Sequence, residues 1–185
     1  MSEASKRSVR TQDIAACALM AALLAVCSQI QIPLPAVPIN LALFAVHLTG
    51  ALLGMKRGGL SVLAYVLLGI VGIPVFAGFK AGPAVLFGKT GGCILGYILC
   101  ALIVGFLSRR WGVSFAKLCA AMAIGVVVCY AFGTVWFMVL TGMNLMTSLT
   151  YCVIPFLPGD AVKIVLAALL TLRLRGPLAR LGFGD

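Results

Sequence analysis

Asp160 and Lys163 are the pair in this chain whose types and setting point most directly to chemistry. They lie in Pro155-Phe156-Leu157-Pro158-Gly159-Asp160-Ala161-Val162-Lys163, within a stretch that is otherwise apolar. Three positions apart on a helix, an acid and an amine share a face. Ionisable groups in an apolar span are costly, and they face a cavity or a partner. One carboxylate and one ammonium side by side can read a small polar ligand that both donates and accepts hydrogen bonds. The same two charges would also be satisfied as an internal ion pair. Pro158 suits the first turn of a helix, so the regular part is expected to start there, with 151–157 entering as bent or non-helical chain. Asp160 then falls in the first turn, where the helix dipole favours a carboxylate. Broken helices of this kind build transporter sites.

A second group of candidates lies in Gly88-Lys89-Thr90-Gly91-Gly92. Lys89 and Thr90 can donate hydrogen bonds to a ligand, and Gly91 allows close backbone approach. The run resembles the end of a phosphate-binding loop, but Pro83 stands where the first glycine is required and no strand precedes it. Phe76 and Phe79 can stack on a ring, or simply pack. Asn40 is a further hydrogen-bonding candidate. His47, the one histidine, reads as a packed core residue, and Tyr97, Tyr130 and Trp136 as packing and interface anchors. The seven cysteines contain no CxxC pair, so neither a metal site nor a disulfide framework is expected. Nothing supplies an activated nucleophile or a paired acid and base, so the sequence does not favour a lipid-modifying enzyme; no catalytic residue and no cofactor are expected.

The elements that must hold these residues are membrane spans. Of 185 residues, 63% are hydrophobic and 10% charged; soluble domains are about 45–50% apolar with about a quarter charged. Six apolar stretches stand out at 14–32, 39–55, 60–78, 91–107, 118–140 and 151–172. Each approaches the roughly 20 helical residues that cross a bilayer. The spacing predicts one integral domain, an all-α membrane protein of six transmembrane helices, between an N-terminal arm (1–13) and a C-terminal tail (173–185). The first stretch lacks a small-residue cleavage site and is read as a retained helix rather than a signal peptide.

The net charge of +10 follows this topology. Lys6, Arg7, Arg10, Lys56, Arg57, Arg109, Arg110, Lys117, Arg173, Arg175 and Arg180 fall on one side of a six-span arrangement, against Lys80 and Lys89 on the other. The positive-inside rule then places both termini in the cytoplasm, and no nucleic-acid partner is needed to explain the charge. The external links include the proline-rich Ile32-Pro33-Leu34-Pro35-Ala36-Val37-Pro38 and the glycine-rich 77–92. Irregular backbone at membrane depth is tolerated where protein buries it or where it lines a cavity, so a pocket is expected at that end. On the first span, Ala18 with Ala22 and Ala21 with Ala25 form small-xxx-small pairs. They serve internal packing or an external membrane partner.

Taken in order, Ile32-Pro33-Leu34-Pro35-Ala36-Val37-Pro38, Gly72-Ile73-Pro74-Val75-Phe76-Ala77-Gly78, Gly88-Lys89-Thr90-Gly91-Gly92 with Gly96-Tyr97, Tyr130-Ala131-Phe132-Gly133-Thr134-Val135-Trp136 and the segment around Asp160 resemble the BioY family. These are the biotin-specific substrate-binding (S) components of energy-coupling-factor (ECF) transporters, and the similarity runs from about Ala18 to Leu172. The resemblance implies a six-helix S-component bundle in the bacterial plasma membrane and an external biotin pocket with Asp160 and Lys163 as ligands. It also implies a proline-loop lid, a coupling subunit docked on the alanines of span one, and cytoplasmic ATPases that drive uptake. The family usually has proline at Lys89, an aromatic at Cys93 and glutamine at Ala42, and the glycine loop is altered by Phe79-Lys80. The remaining alternatives are an S component for another small vitamin and a solitary or proton-coupled carrier.

Overall fold

The computed structural model describes the backbone of residues 2–32, 37 and 39–180, and the side chains of 11–32, 37 and 39–177. Helix α1 spans Ser2–Gln29 and leads into a short antiparallel pair, β1 (Gln31–Ile32) with β2 (Ile39–Asn40). Then follow α2 (Ala42–Val71), the short α3 (Pro83–Leu86), α4 (Gly91–Trp111), α5 (Phe115–Thr141), α6 (Leu145–Cys152) and α7 (Leu157–Arg180). Among the described residues, four helices are long and apolar enough to cross a membrane. The pair α6 and α7, bent by 48° at 153–156, makes a fifth.

Six stretches and this count differ because the second and third stretches share one element. Within α2, Gly54 has φ 75° and ψ −175°, outside helical geometry. A Cβ built on Gly58 would lie 3.1 Å from Gly50 Cα, whereas eight residues of straight helix rise about 12 Å. The chain therefore doubles back at Gly54 into two limbs, 42–53 and 55–71. The expected linker at 56–59 is itself helical, because one left-handed glycine makes the reversal. The bend frees the Leu53 carbonyl, which accepts from the Arg109 guanidinium at 3.4 Å. Gly105 on α4 lies directly against this turn: its Cβ would meet Gly54 C and Met55 N at 2.5 Å. Gly105→Val is expected to cost about 1–3 kcal/mol by overpacking a contact that cannot yield. Gly176→Ala, with open space around it, serves as the neutral control, and thermal unfolding in detergent reads the difference.

The other ends have local causes. The amide N–H of Ala42 donates to Asn40 Oδ1 at 3.1 Å as α2 begins. At its far end Gly72 takes φ 112°, its N–H donates to the Gly69 carbonyl, and Pro74 follows, a left-handed stop. The third apolar stretch thus ends its helix at Val71 rather than near 78. Asn144 caps α6 by accepting from Thr147 N at 2.9 Å. Of the bent or non-helical chain expected at 151–157, residues 153–156 form the break and α7 resumes at Leu157; 151–152 instead complete α6 (145–152).

The core lies between α2, α4 and α5, where small residues let helix backbones meet in the absence of a hydrophobic driving force. A Cβ on Gly96 would touch Cys129, one on Gly125 would touch Cys100, and one on Gly133 would touch Cys93. Apolar side chains on the outside, such as Val71 and Val139, are about four-fifths exposed, as lipid-facing residues are.

Candidate functional site

The bend between α6 and α7 presents a helix start to the interior. Asp160 lies in the first turn of α7, its N–H donating to the Phe156 carbonyl at 2.8 Å. Lys163, one turn on, donates from Nζ to Asp160 Oδ1 at 2.7 Å, and the two side chains are only 8% and 4% exposed. The Tyr130 hydroxyl, from α5, donates to Asp160 Oδ2. Both carboxylate oxygens are therefore engaged, as a buried charge requires.

These three groups form the buried end of a cavity of about 260 Å³. Cys93, Ile94 and Tyr97 of α4 and Leu43 and Tyr65 of α2 wall it, and Phe76, Gln31, Asn40, Lys80 and Thr90 come from the connecting segments. Phe76 is 1% exposed and meets Tyr65 edge-on at 5.7 Å between centroids. Its ring also crosses Gly69, where a Cβ would come 2.1 Å from Phe76 Cζ. The loop that carries Phe76 is held by the last turn of α1. Gln29 Nε2 donates to the carbonyls of Val75 and Phe76 at 3.2 and 3.1 Å, and its Oε1 accepts from Phe79 N at 2.9 Å. Ser28 donates to Val75 O as well. One carboxamide thus bonds the loop with both its donor and its acceptor.

Of the residues singled out by sequence, the cavity gathers Asp160, Lys163, Thr90, Phe76 and Asn40. Lys89 and Phe79 are exposed and Gly91 is buried against Leu86; none of the three lines it. Tyr97 and Tyr130, read as packing residues, do line it. Tyr130 is thirty positions from Asp160 with no shared motif. The available signal was a phenol in an apolar span, which needs a polar partner. Trp136 bridges elements instead, its indole N–H donating to the Gly88 carbonyl at 3.2 Å. The proline loop contributes Val37 to the cavity; Pro33, Leu34, Pro35, Ala36 and Pro38 lie outside the described residues. The alanine pairs of α1 part company. Ala21 is buried and Ala25 packs on the core, while Ala18 and Ala22 are exposed.

Comparison with known proteins fits this geometry. The model of the BioY family matches residues 1–180. The chain belongs to the BioY family. It is 41% identical over 157 residues to the biotin transporter BioY of Thermotoga maritima, covering 85% of this chain and 92% of that one. It is 36% identical to the probable biotin transporter BioY of Pyrococcus horikoshii, covering 91% and 99%. Among solved structures it matches the S-component for biotin from an ECF-type ABC transporter with a TM-score of 0.84, 27% identity and 95% coverage of both chains. As a BioY member it has the S-component fold and is a multi-pass membrane protein, not an enzyme.

Proposed function

We propose that this protein captures biotin on the external side of a bacterial plasma membrane, as the S component of an ECF transporter. The observation that carries this reading is the Tyr130–Asp160–Lys163 cluster, its carboxylate and ammonium buried, at the inner end of the cavity. The ureido ring of biotin offers N–H donors to the Asp160 carboxylate and a carbonyl that accepts from Lys163. The thioether bicycle suits the apolar and aromatic walls around Phe76 and Tyr97. Biotin is cargo here, and no resident cofactor is required.

Counting the limbs of α2 separately and α6–α7 as one broken span, the chain crosses the membrane six times with both termini cytoplasmic. Two contacts support that topology. Arg57, beside the Gly54 turn, pairs with Asp13 of α1 at 3.1 Å, and Arg109 reaches the same turn, so three basic segments share one end. The cavity, built from loops beyond Val71 and Gln29, lies at the other. The proline loop serves as a lid, as the family resemblance implies. Ala18 and Ala22 form the face for a transmembrane coupling subunit, with cytoplasmic ATPases driving the cycle, and lipid surrounds the rest.

Thermal unfolding of the purified protein across a panel of water-soluble vitamins tests the ligand. A ligand at a hundred times its dissociation constant stabilises the folded state by about 2.7 kcal/mol, equivalent to roughly 5–10 °C for a chain of this size. Biotin is expected to give that shift and the other vitamins none. A comparable shift with a different vitamin and none with biotin refutes the assignment.

A further inference from the structure

The cavity has a second polar end, chemically unlike the first. At the buried end the charges of Asp160 and Lys163 cancel, so that end suits a neutral, hydrogen-bonding group. At the open end Lys80 lines the cavity, and no acidic side chain pairs with it among the described residues. Asp13 is taken by Arg57 and Asp160 by Lys163.

The backbone fixes Lys80 there. Its N–H donates to the Phe76 carbonyl at 3.2 Å, and its own carbonyl accepts from Phe76 N at 3.1 Å. Between them Gly78 (φ 75°) and Phe79 (φ 56°) adopt left-handed conformations, closing a tight reversal whose outer N–H is held by Gln29. Beside it, Gln31 lies on the same cavity with its amide nitrogen 3.1 Å from where a Gly78 Cβ would be, and its Oε1 is buried without a hydrogen-bond partner. Gln31 Oε1 is an acceptor and cannot receive an anion, so the Lys80 ammonium is the group at this mouth that can.

We propose that Lys80 is the specificity-determining residue that reads the free carboxylate of the ligand, at the opposite end of the cavity from Asp160 and Lys163. This rests on the biotin reading above and deepens it. Lys89, the other cation on this side, does not line the cavity and is not given that role.

The test compares equilibrium binding of biotin and of its neutral carboxamide to the detergent-purified protein. The wild type is expected to bind biotin about tenfold or more tightly than the carboxamide, the scale of one charge-assisted hydrogen bond. Lys80→Gln should weaken biotin by about tenfold, leave the carboxamide unchanged, and so abolish the preference; Lys80→Arg should restore it. Lys89→Gln should keep the wild-type ratio. Added salt should weaken biotin binding in the wild type and have less effect in Lys80→Gln. If Lys80→Gln retains the wild-type preference, or Lys89→Gln abolishes it, the assignment of Lys80 is overturned while the biotin reading stands. If the wild type binds neither molecule, the biotin reading falls and the assignment falls with it.

Discussion

Asp160→Asn and Lys163→Met are each expected to lower biotin affinity by at least about a hundredfold, while the double variant regains stability without regaining binding. Two separate quantities are involved. The ligand loses charge-assisted hydrogen bonds worth about 1.5–3 kcal/mol each. The fold loses the balance of a buried pair: Asp160→Asn leaves the Lys163 ammonium 8% exposed beside a neutral amide, and Lys163→Met leaves the carboxylate with Tyr130 as its remaining side-chain donor. Breaking one partner of a buried pair costs about 3–5 kcal/mol, whereas replacing both is often neutral. Thermal midpoints should therefore fall in both single variants and recover in Asp160→Asn/Lys163→Met. Binding of labelled biotin should stay lost in all three. A double variant that binds like the wild type would remove these residues from the site.

The pair was legible in the sequence because cost made it conspicuous: one acid and one amine stood where an apolar span has no use for them. Phe76, Thr90 and Asn40 were legible in a weaker way, as polar or aromatic residues beside irregular backbone that had to enclose something. The reversal at Gly54 was not. Lys56 and Arg57 look like a loop between two spans, yet they are helical, because a single left-handed residue turned the chain two positions earlier. Lys80 was visible as a charge on a loop expected to wall a pocket, but not as a ligand contact. Its placement depends on two backbone bonds to Phe76 and on the distant grip of Gln29, fifty residues from Phe79. Lys89 looked the better ligand because it sits in a glycine-rich run, but such a run says only that backbones come close, not which way a side chain faces.

Gly91 separates those two meanings of glycine. Read from sequence, it lets a ligand approach; in the fold it lets another part of the chain approach. A Cβ there would lie 1.6 Å from the Leu86 carbonyl oxygen and 2.5 Å from its carbon. Both are backbone atoms at the end of α3, and Gly91 is held beside them by donating to the Gly88 carbonyl at 3.0 Å. No rotamer change relieves such a clash, so α3 and α4 must separate. Gly91→Ala is expected to cost about 3 kcal/mol, the upper end of overpacking. Because Val85 and Thr90 line the cavity on either side of this turn, biotin affinity should fall together with stability. Gly88→Ala, whose nearest neighbour would be the Val85 carbonyl at 3.2 Å, should be far milder. Thermal unfolding and biotin titration of both variants decide between the two roles. A Gly91→Ala protein that unfolds like the wild type but binds biotin poorly would return Gly91 to the ligand, whereas parallel losses would fix it as the hinge point on which the cavity wall is built.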